Sequence, residues 1–182
     1  MNGKQQAIEQ IEHFMKSDER GILLTGTHQF EKHKLVMRWL NENYRDLLIL
    51  FRLNLMANIT TDSFTTLKKQ PKAGETVRLG RNNYQFDSFM SSGTWQKTDR
   101  RYHVAIVYPI DPFCRDLKHE ALDDLFRKQI SKVFLCSWTD IQSYDYTDLK
   151  KYYERHIIYD AQEEDPDYHA RVIMTTKGIP YR

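Results

Sequence analysis

The chain is short of anything that would staple it, anchor it or give it a dominant charge. It has two cysteines, Cys114 and Cys136, and they do not form a C-x-x-C pair. That excludes a disulfide framework and leaves two reduced thiols beside expected strands, the ordinary state of an intracellular protein. No apolar run approaches the ~18 residues that a membrane span requires. The opening Met1-Asn2-Gly3-Lys4-Gln5-Gln6 has no apolar signal-peptide region. A cytoplasmic protein with no membrane role is therefore expected. Lys and Arg number 27 against 25 Asp and Glu, a net charge of +2, which gives the whole molecule no pull on nucleic acid. There is no internal repeat and no low-complexity segment. No Ser/His/Asp or Cys/His nucleophile is set up either. Cys114 and His119, five apart on an expected helix, fall on different faces.

What is present suits one ordinary globular domain. At 182 residues the chain can bury roughly 70% of its unfolded surface without cross-links. Hydrophobic residues are 40%, charged 29% and aromatic 13%, with 11 tyrosines. Such a Tyr content suits half-buried core edges and partner contacts.

Hydrophobic periodicity sets out the elements. Ala7, Ile8, Ile11, Phe14 and Met15 recur at helical spacing over residues 4–18. A short buried strand is expected at 22–25 and a helix at 31–43 with Leu35, Val36, Trp39 and Leu40 inward. The nearly continuous apolar run of 47–53 suits a strand covered on both faces, as in a parallel sheet. Residues 54–101 read as an insertion: a polar stretch with a short helix near 63–68, then a β-hairpin whose strands, 75–79 and 84–89, flank Gly80-Arg81-Asn82-Asn83. Strand 103–108, helix 114–128, strand 132–138, helix 147–153 and strand 156–160 resume the core. Residues 161–182 form an acidic tail with a short helix that Val172, Ile173 and Met174 dock. The chain is thus read as a single domain, 1–182, with an α/β core in 20–53 and 102–160. Alternating strands and helices imply a mostly parallel sheet flanked by helices, with right-handed crossovers. Ligands of such sheets sit at the carboxyl ends of the strands, which brings the 26–32 loop, Asn54, Asp111 and Ser137-Trp138-Thr139-Asp140 to one edge.

The stretch around which this is organised is Gly21-Ile22-Leu23-Leu24-Thr25-Gly26-Thr27-His28-Gln29-Phe30-Glu31-Lys32-His33. A strand ends in Gly26, a loop follows, and Lys32 opens a helix. Gly26 to Lys32 has the spacing of G-x-x-x-x-G-K-[ST], but Glu31 replaces the second Gly and His33 the hydroxyl residue. In this layout backbone N–H groups wrap a phosphate at a helix N-terminus. Glu31 adds a Cβ and a repelling carboxylate there. His33 is a poor substitute for a hydroxyl on Mg²⁺, which prefers oxygen. The strand, Lys-bearing loop, helix and later strand with a trailing Asp resemble the core of P-loop NTPases over roughly residues 20–160. The resemblance implies a degenerate Walker A loop, with Gly26, Thr27, Lys32, His33 and Asp111 as the phosphate- or nucleotide-binding positions if binding is retained. Asp111 stands where that family holds Mg²⁺, but late and behind Pro109, with no Glu after it. Ser137 or Thr139 matches a polar sensor position. The departures all point to lost catalysis, a pseudo-ATPase, with no cofactor required and Mg-ATP or another nucleotide as the candidate ligand.

Other constellations offer other chemistry. His28, Glu31 and His33 crowd one loop and could hold a transition metal; exposed loop histidines are the simpler expectation. Asp87, Glu75, Lys97 and Asp111 could make a Mg²⁺-dependent nuclease site if folding gathered them. Arg78, Arg81, Lys97, Arg100 and Arg101 interleave with Tyr84, Phe89 and Trp95, a composition that can bind single-stranded nucleic acid or a protein partner. The acidic tail could pair with a basic partner surface. The expectation drawn from all of this is a non-catalytic P-loop-like accessory or scaffold subunit. It would bind a protein partner within an ATP-driven or DNA-handling assembly. The alternatives are an ATPase or GTPase with an atypical loop, and a nucleic-acid-binding module.

Overall fold

Strands β1 (Gly21–Thr25), β2 (Leu48–Leu53), β3 (Val77–Leu79), β4 (Asn82–Ser88), β5 (Tyr102–Tyr108), β6 (Ile130–Cys136) and β7 (Arg155–Ile158) form one sheet. They are seen in a computed structural model that describes residues 2–115, 117–139 and 144–177. The order across the sheet is β3-β4-β2-β5-β6-β1-β7. Every neighbouring pair is parallel except the β3–β4 hairpin. The helices are α1 (Lys4–Lys16), α2 (Lys32–Asn43), α3 (Glu120–Arg127) and α4 (Pro166–Lys177).

Alternation of side chains along each strand sorts the core into two layers. Ile22, Leu24, Ile49, Phe51, Ile106 and Phe134 face Ile11 and Phe14 of α1 and Leu35, Val36 and Leu40 of α2. Leu23, Leu50, Ala105, Val107, Val133 and Leu135 face Leu122 and Leu125 of α3 and Leu149 and Tyr152 of a 3-10 turn at Thr147–Tyr152. This is why β1 and β2 read as nearly continuous apolar runs. Both of their faces are covered, and an α/β sheet flanked by helices results.

Three stretches differ from expectation. The hairpin is present, but its second strand is a full member of the sheet: β4 runs parallel to β2, with Phe51 opposite Phe86 and Arg52 opposite Asp87. The turn tightens to Gly80-Arg81, with Gly80 at φ +60°, a conformation that L side chains rarely adopt. The expected helix near 63–68 is absent, and a 3-10 turn at Met56–Thr60 stands earlier in the loop. The helix expected at 114–128 begins at Glu120, because a 3-10 turn carrying Pro112 occupies Asp111–Cys114 and sends the chain off before α3. Asp140, expected at the carboxyl edge, lies outside the described residues.

Candidate functional site

The 26–32 loop leaves β1 at the carboxyl edge, as its position in the sequence requires. Gly26 has φ +113°, and a Cβ there would stand 2.2 Å from the Tyr159 carbonyl oxygen. The glycine is thus needed for the turn and for the close passage of the chain after β7.

Lys32 does not reach into an open cradle. It is fully buried, and its ammonium donates to the carbonyls of Gly26 (2.7 Å) and His28 (2.8 Å), with the Trp138 carbonyl at 3.4 Å. Several N–H groups of the loop are engaged as well. Thr27 N–H donates to Asp160 Oδ1 at 3.0 Å, and Gln29 N–H to the Tyr168 hydroxyl at 3.3 Å. Glu31 N–H turns back to the His28 carbonyl at 3.4 Å. Glu31 itself points outward, paired with Arg38 at 2.9 Å and Lys34 at 3.6 Å. His28 lies on the Tyr159 ring, centroids 4.4 Å apart. Its burial lowers its pKa, against the pull of the Glu164 carboxylate 3.6 Å away.

His33 is buried in aromatic surroundings. Its ring stacks on Tyr108 at 3.8 Å, and its Nε2–H donates to the Phe64 carbonyl at 3.1 Å. Desolvation pushes its pKa down to about 3, so the imidazole is neutral at pH 7. The Tyr108 hydroxyl in turn donates to the Gln29 carbonyl at 3.2 Å, tying β5 to the loop. Asp111 is also committed internally. One of its carboxylate oxygens accepts from Trp138 N–H at 2.5 Å, the other from Thr139 N–H and Oγ1–H at 3.0 Å each. Since β6 lies between β1 and β5, this carboxylate knits the ends of β5 and β6 rather than facing the loop. Ser137 donates to the Thr139 carbonyl at 2.8 Å.

The remaining clusters are not gathered into sites. Asp87 is buried on Arg52, whereas Glu75 and Lys97 are exposed. Among the described residues no group of three His, Cys, Asp or Glu could hold a metal ion. Arg78 is exposed and bonded to Asp46 at 2.7 Å, and Arg81 donates to the Glu42 carbonyl at 3.1 Å. Lys97, Arg100 and Arg101 are exposed. Tyr84, by contrast, is buried beside Phe86, and Trp95 donates its indole N–H inward to the Ser88 carbonyl at 2.8 Å. Neither ring is presented as a stacking platform, so the basic residues stand without the aromatics that the sequence interleaves with them. Burial raises the Cys114 thiol to about 12, and Cys136 is higher still for the same reason. Neither is a nucleophile at neutral pH. No helix among the described residues is long and apolar enough to cross a membrane.

Two features escaped the sequence reading. One is the C-terminal contribution to the loop from Asp160, Tyr168 and His169. These lie more than 130 residues away, and local pattern carries no trace of the contact. The other is a charged network on the α3 face. Arg52 binds Asp87 through two bonds of 2.8 and 2.6 Å, meets Asp124 at 2.9 Å and donates to the Ala121 carbonyl at 2.6 Å. Thr98 adds a 2.6 Å bond to Asp87, and Lys128 approaches Asp124 at 3.3 Å. Here a signal existed: a lone Arg inside an apolar strand must be paired if it is buried.

No family model and no curated protein matches the chain. In structure it is similar to the large terminase of a thermophilic bacteriophage. One crystal form of that protein aligns at TM-score 0.62 and 9% identity, over 96% of this chain and 49% of the terminase chain. A crystal form in complex with ADP aligns at TM-score 0.55 and 10% identity, over 87% and 45%. The chain spans about half the length of the terminase chains it matches. The likeness is one of fold, the mostly parallel α/β sheet flanked by helices.

Proposed function

We propose that the chain is a non-catalytic, P-loop-like accessory or scaffold subunit that binds a protein partner in an ATP-driven or DNA-handling assembly. One observation carries the reading: the lysine, the aspartate and two of the loop amides that would hold a nucleotide are bonded to the chain itself. Lys32 donates to loop carbonyls, Thr27 and Gln29 N–H groups donate to the C-terminal segment, and Asp111 accepts from the end of β6. His33, at the hydroxyl position, is a neutral buried ring. A terminase of the same fold has been crystallised with ADP, which makes an ATP-driven, DNA-handling setting the natural one for this fold by analogy.

The carboxyl edge also carries apolar surface suited to a protein partner. Phe30, Leu55, Met90 and Trp138 follow β1, β2, β4 and β6, and they are four of the five large exposed hydrophobic residues among those described. Phe30 and Trp138 lie 6.0 Å apart between ring centroids. Exposed apolar groups at the edge where a ligand normally sits favour burial against another surface.

Thermal unfolding with Mg-ATP, Mg-GTP and the diphosphates tests the reading, on the wild type and on Lys32→Ala. A ligand specific for the native state must stabilise it, by about 2.7 kcal/mol at a hundred times its dissociation constant. The expected result is no nucleotide-dependent shift in either protein. A shift present in the wild type and lost in Lys32→Ala would replace this reading with that of a nucleotide-binding ATPase or GTPase.

A further inference from the structure

We propose that residues 160–177 form a releasable latch that holds the 26–32 loop closed and detaches while the sheet stays folded. The contacts between them are two groups of hydrogen bonds, one on Thr27 and one on Gln29. Asp160 Oδ1 accepts Thr27 N–H at 3.0 Å. Thr27 Oγ1 accepts Ala161 N–H at 2.9 Å and shares a hydrogen bond with His169 Nδ1 at 2.8 Å. The Tyr168 hydroxyl accepts Gln29 N–H and donates to Gln29 Oε1, each at 3.3 Å. With α4 docked, the Thr27 and Gln29 amides are both occupied by the C-terminal segment and turned away from any other acceptor.

The same segment has little apolar hold beyond the small buried side chain of Ala161. Val172 and Thr176 are the buried residues of α4, and Met174 on the same helix is 75% exposed. A 12-residue helix is marginal in water without a packed face. Its start is set locally, with Tyr168 N–H donating to Asp165 Oδ1 at 2.9 Å, a cap that survives undocking. Net hydrogen bonds of this kind contribute about 0.5–1.5 kcal/mol each. The sheet strands are instead buried on both faces. Elements so unequal in packing open at different free energies, and the latch lies at the low end. Access to the loop amides is therefore controlled by the C-terminal segment as well as by the loop's own residues.

The inference rests on the reading of the loop as internally bonded, and the two fail separately. A nucleotide-induced shift in the wild type sinks the accessory reading, whereas the latch is judged by amide hydrogen exchange on the full chain in the absence of ligand. In the wild type, the amides of α4 and of Thr27 and Gln29 should exchange together, faster than those of β1, β5 and β6. In Asp160→Ala/Tyr168→Phe the Thr27 and Gln29 amides should exchange about tenfold faster or more, the loss of one to two such bonds, with the sheet amides unchanged. Asp160→Asn keeps an acceptor oxygen and should stay near wild type. Thr27 and Gln29 exchanging only with the sheet in the wild type would overturn the proposal, even if the double variant does not fold. So would a folded double variant with unaltered loop exchange.

Discussion

Lys32 and Arg52 are both cations with no solvent exposure, on opposite faces of one sheet, and the bonds described at each are of different kinds. Arg52, on the α3 face, meets two carboxylates, Asp87 and Asp124. Lys32, on the α2 face, donates to the carbonyls of its own loop. The carboxylates are full charges that would remain buried if the arginine were removed, whereas the carbonyls are dipoles. The bonds described at Arg52 thus join full charges, and those described at Lys32 join a charge to dipoles. Arg52→Ala should accordingly be the most damaging single change, at about 3–5 kcal/mol, the cost of breaking a buried pair. Urea unfolding of Arg52→Ala, Asp87→Asn and the double variant measures it, and the double variant should lose less than the sum of the singles. A loss under about 1 kcal/mol for Arg52→Ala would mean that the pair is solvated and the contrast between the faces is false.

His33 sharpens the contrast through pH. Its folded pKa is lowered to about 3 by desolvation, aided by Lys34 and Lys32 and opposed by the Phe64 carbonyl. An unfolded histidine titrates near 6.5. Between these values the unfolded state binds a proton that the folded state refuses, so stability rises with pH. The contribution is complete above about pH 6.5 and declines as the pH falls toward 3, by about 1.4 kcal/mol per unit for this one group. Unfolding of wild type and His33→Leu from pH 7 to 4.5 checks it. The variant should lose that much less stability per unit below pH 6, and parallel profiles would show that the ring is not what the acid attacks.

Asp111 comes next. Asp111→Ala leaves the N–H groups of Trp138 and Thr139 without their acceptor and should cost about 1–3 kcal/mol, the price of buried donors unsatisfied. Asp111→Asn keeps one acceptor oxygen and should cost less. If the carboxylate instead serves to hold Mg²⁺, added Mg²⁺ will raise the wild-type unfolding temperature and leave that of Asp111→Ala unmoved.

The sheet was legible in the sequence because its signal is local. Leu48–Leu53 and Tyr102–Tyr108 are long apolar runs, and a strand buried on both faces needs little else. The α2 face was legible through Leu35, Val36, Trp39 and Leu40 for the same reason. The pairing of β4 with β2 was not, since a hairpin's outer partner is a non-local choice and only the register opposing Arg52 to Asp87 reveals it. In the loop, the departures at Glu31 and His33 could be read, but not where Lys32 would turn. That depends on carbonyl positions, and the occupants of the Thr27 and Gln29 amides come from Asp160 and Tyr168. Tyr84 and Trp95 were misplaced because composition does not say which way a ring points. Their rings face the core and the Ser88 carbonyl.

The smallest effect is expected at the residue that the motif makes most conspicuous. Lys32→Met keeps the length and apolar stem of the side chain and removes a buried charge, whose burial is itself unfavourable. It also takes a donor from the Gly26 and His28 carbonyls. These two terms oppose one another, which should bring the cost below that of Arg52→Ala. Chemical denaturation gives the number directly. A loss of about 3 kcal/mol would show that the ammonium is a keystone of the loop and would erase the difference between the two faces. A small loss, joined to an unchanged response to Mg-ADP, would mean that the lysine has become a packing residue, a side chain that still opens α2 and has been withdrawn into the wall of its own loop.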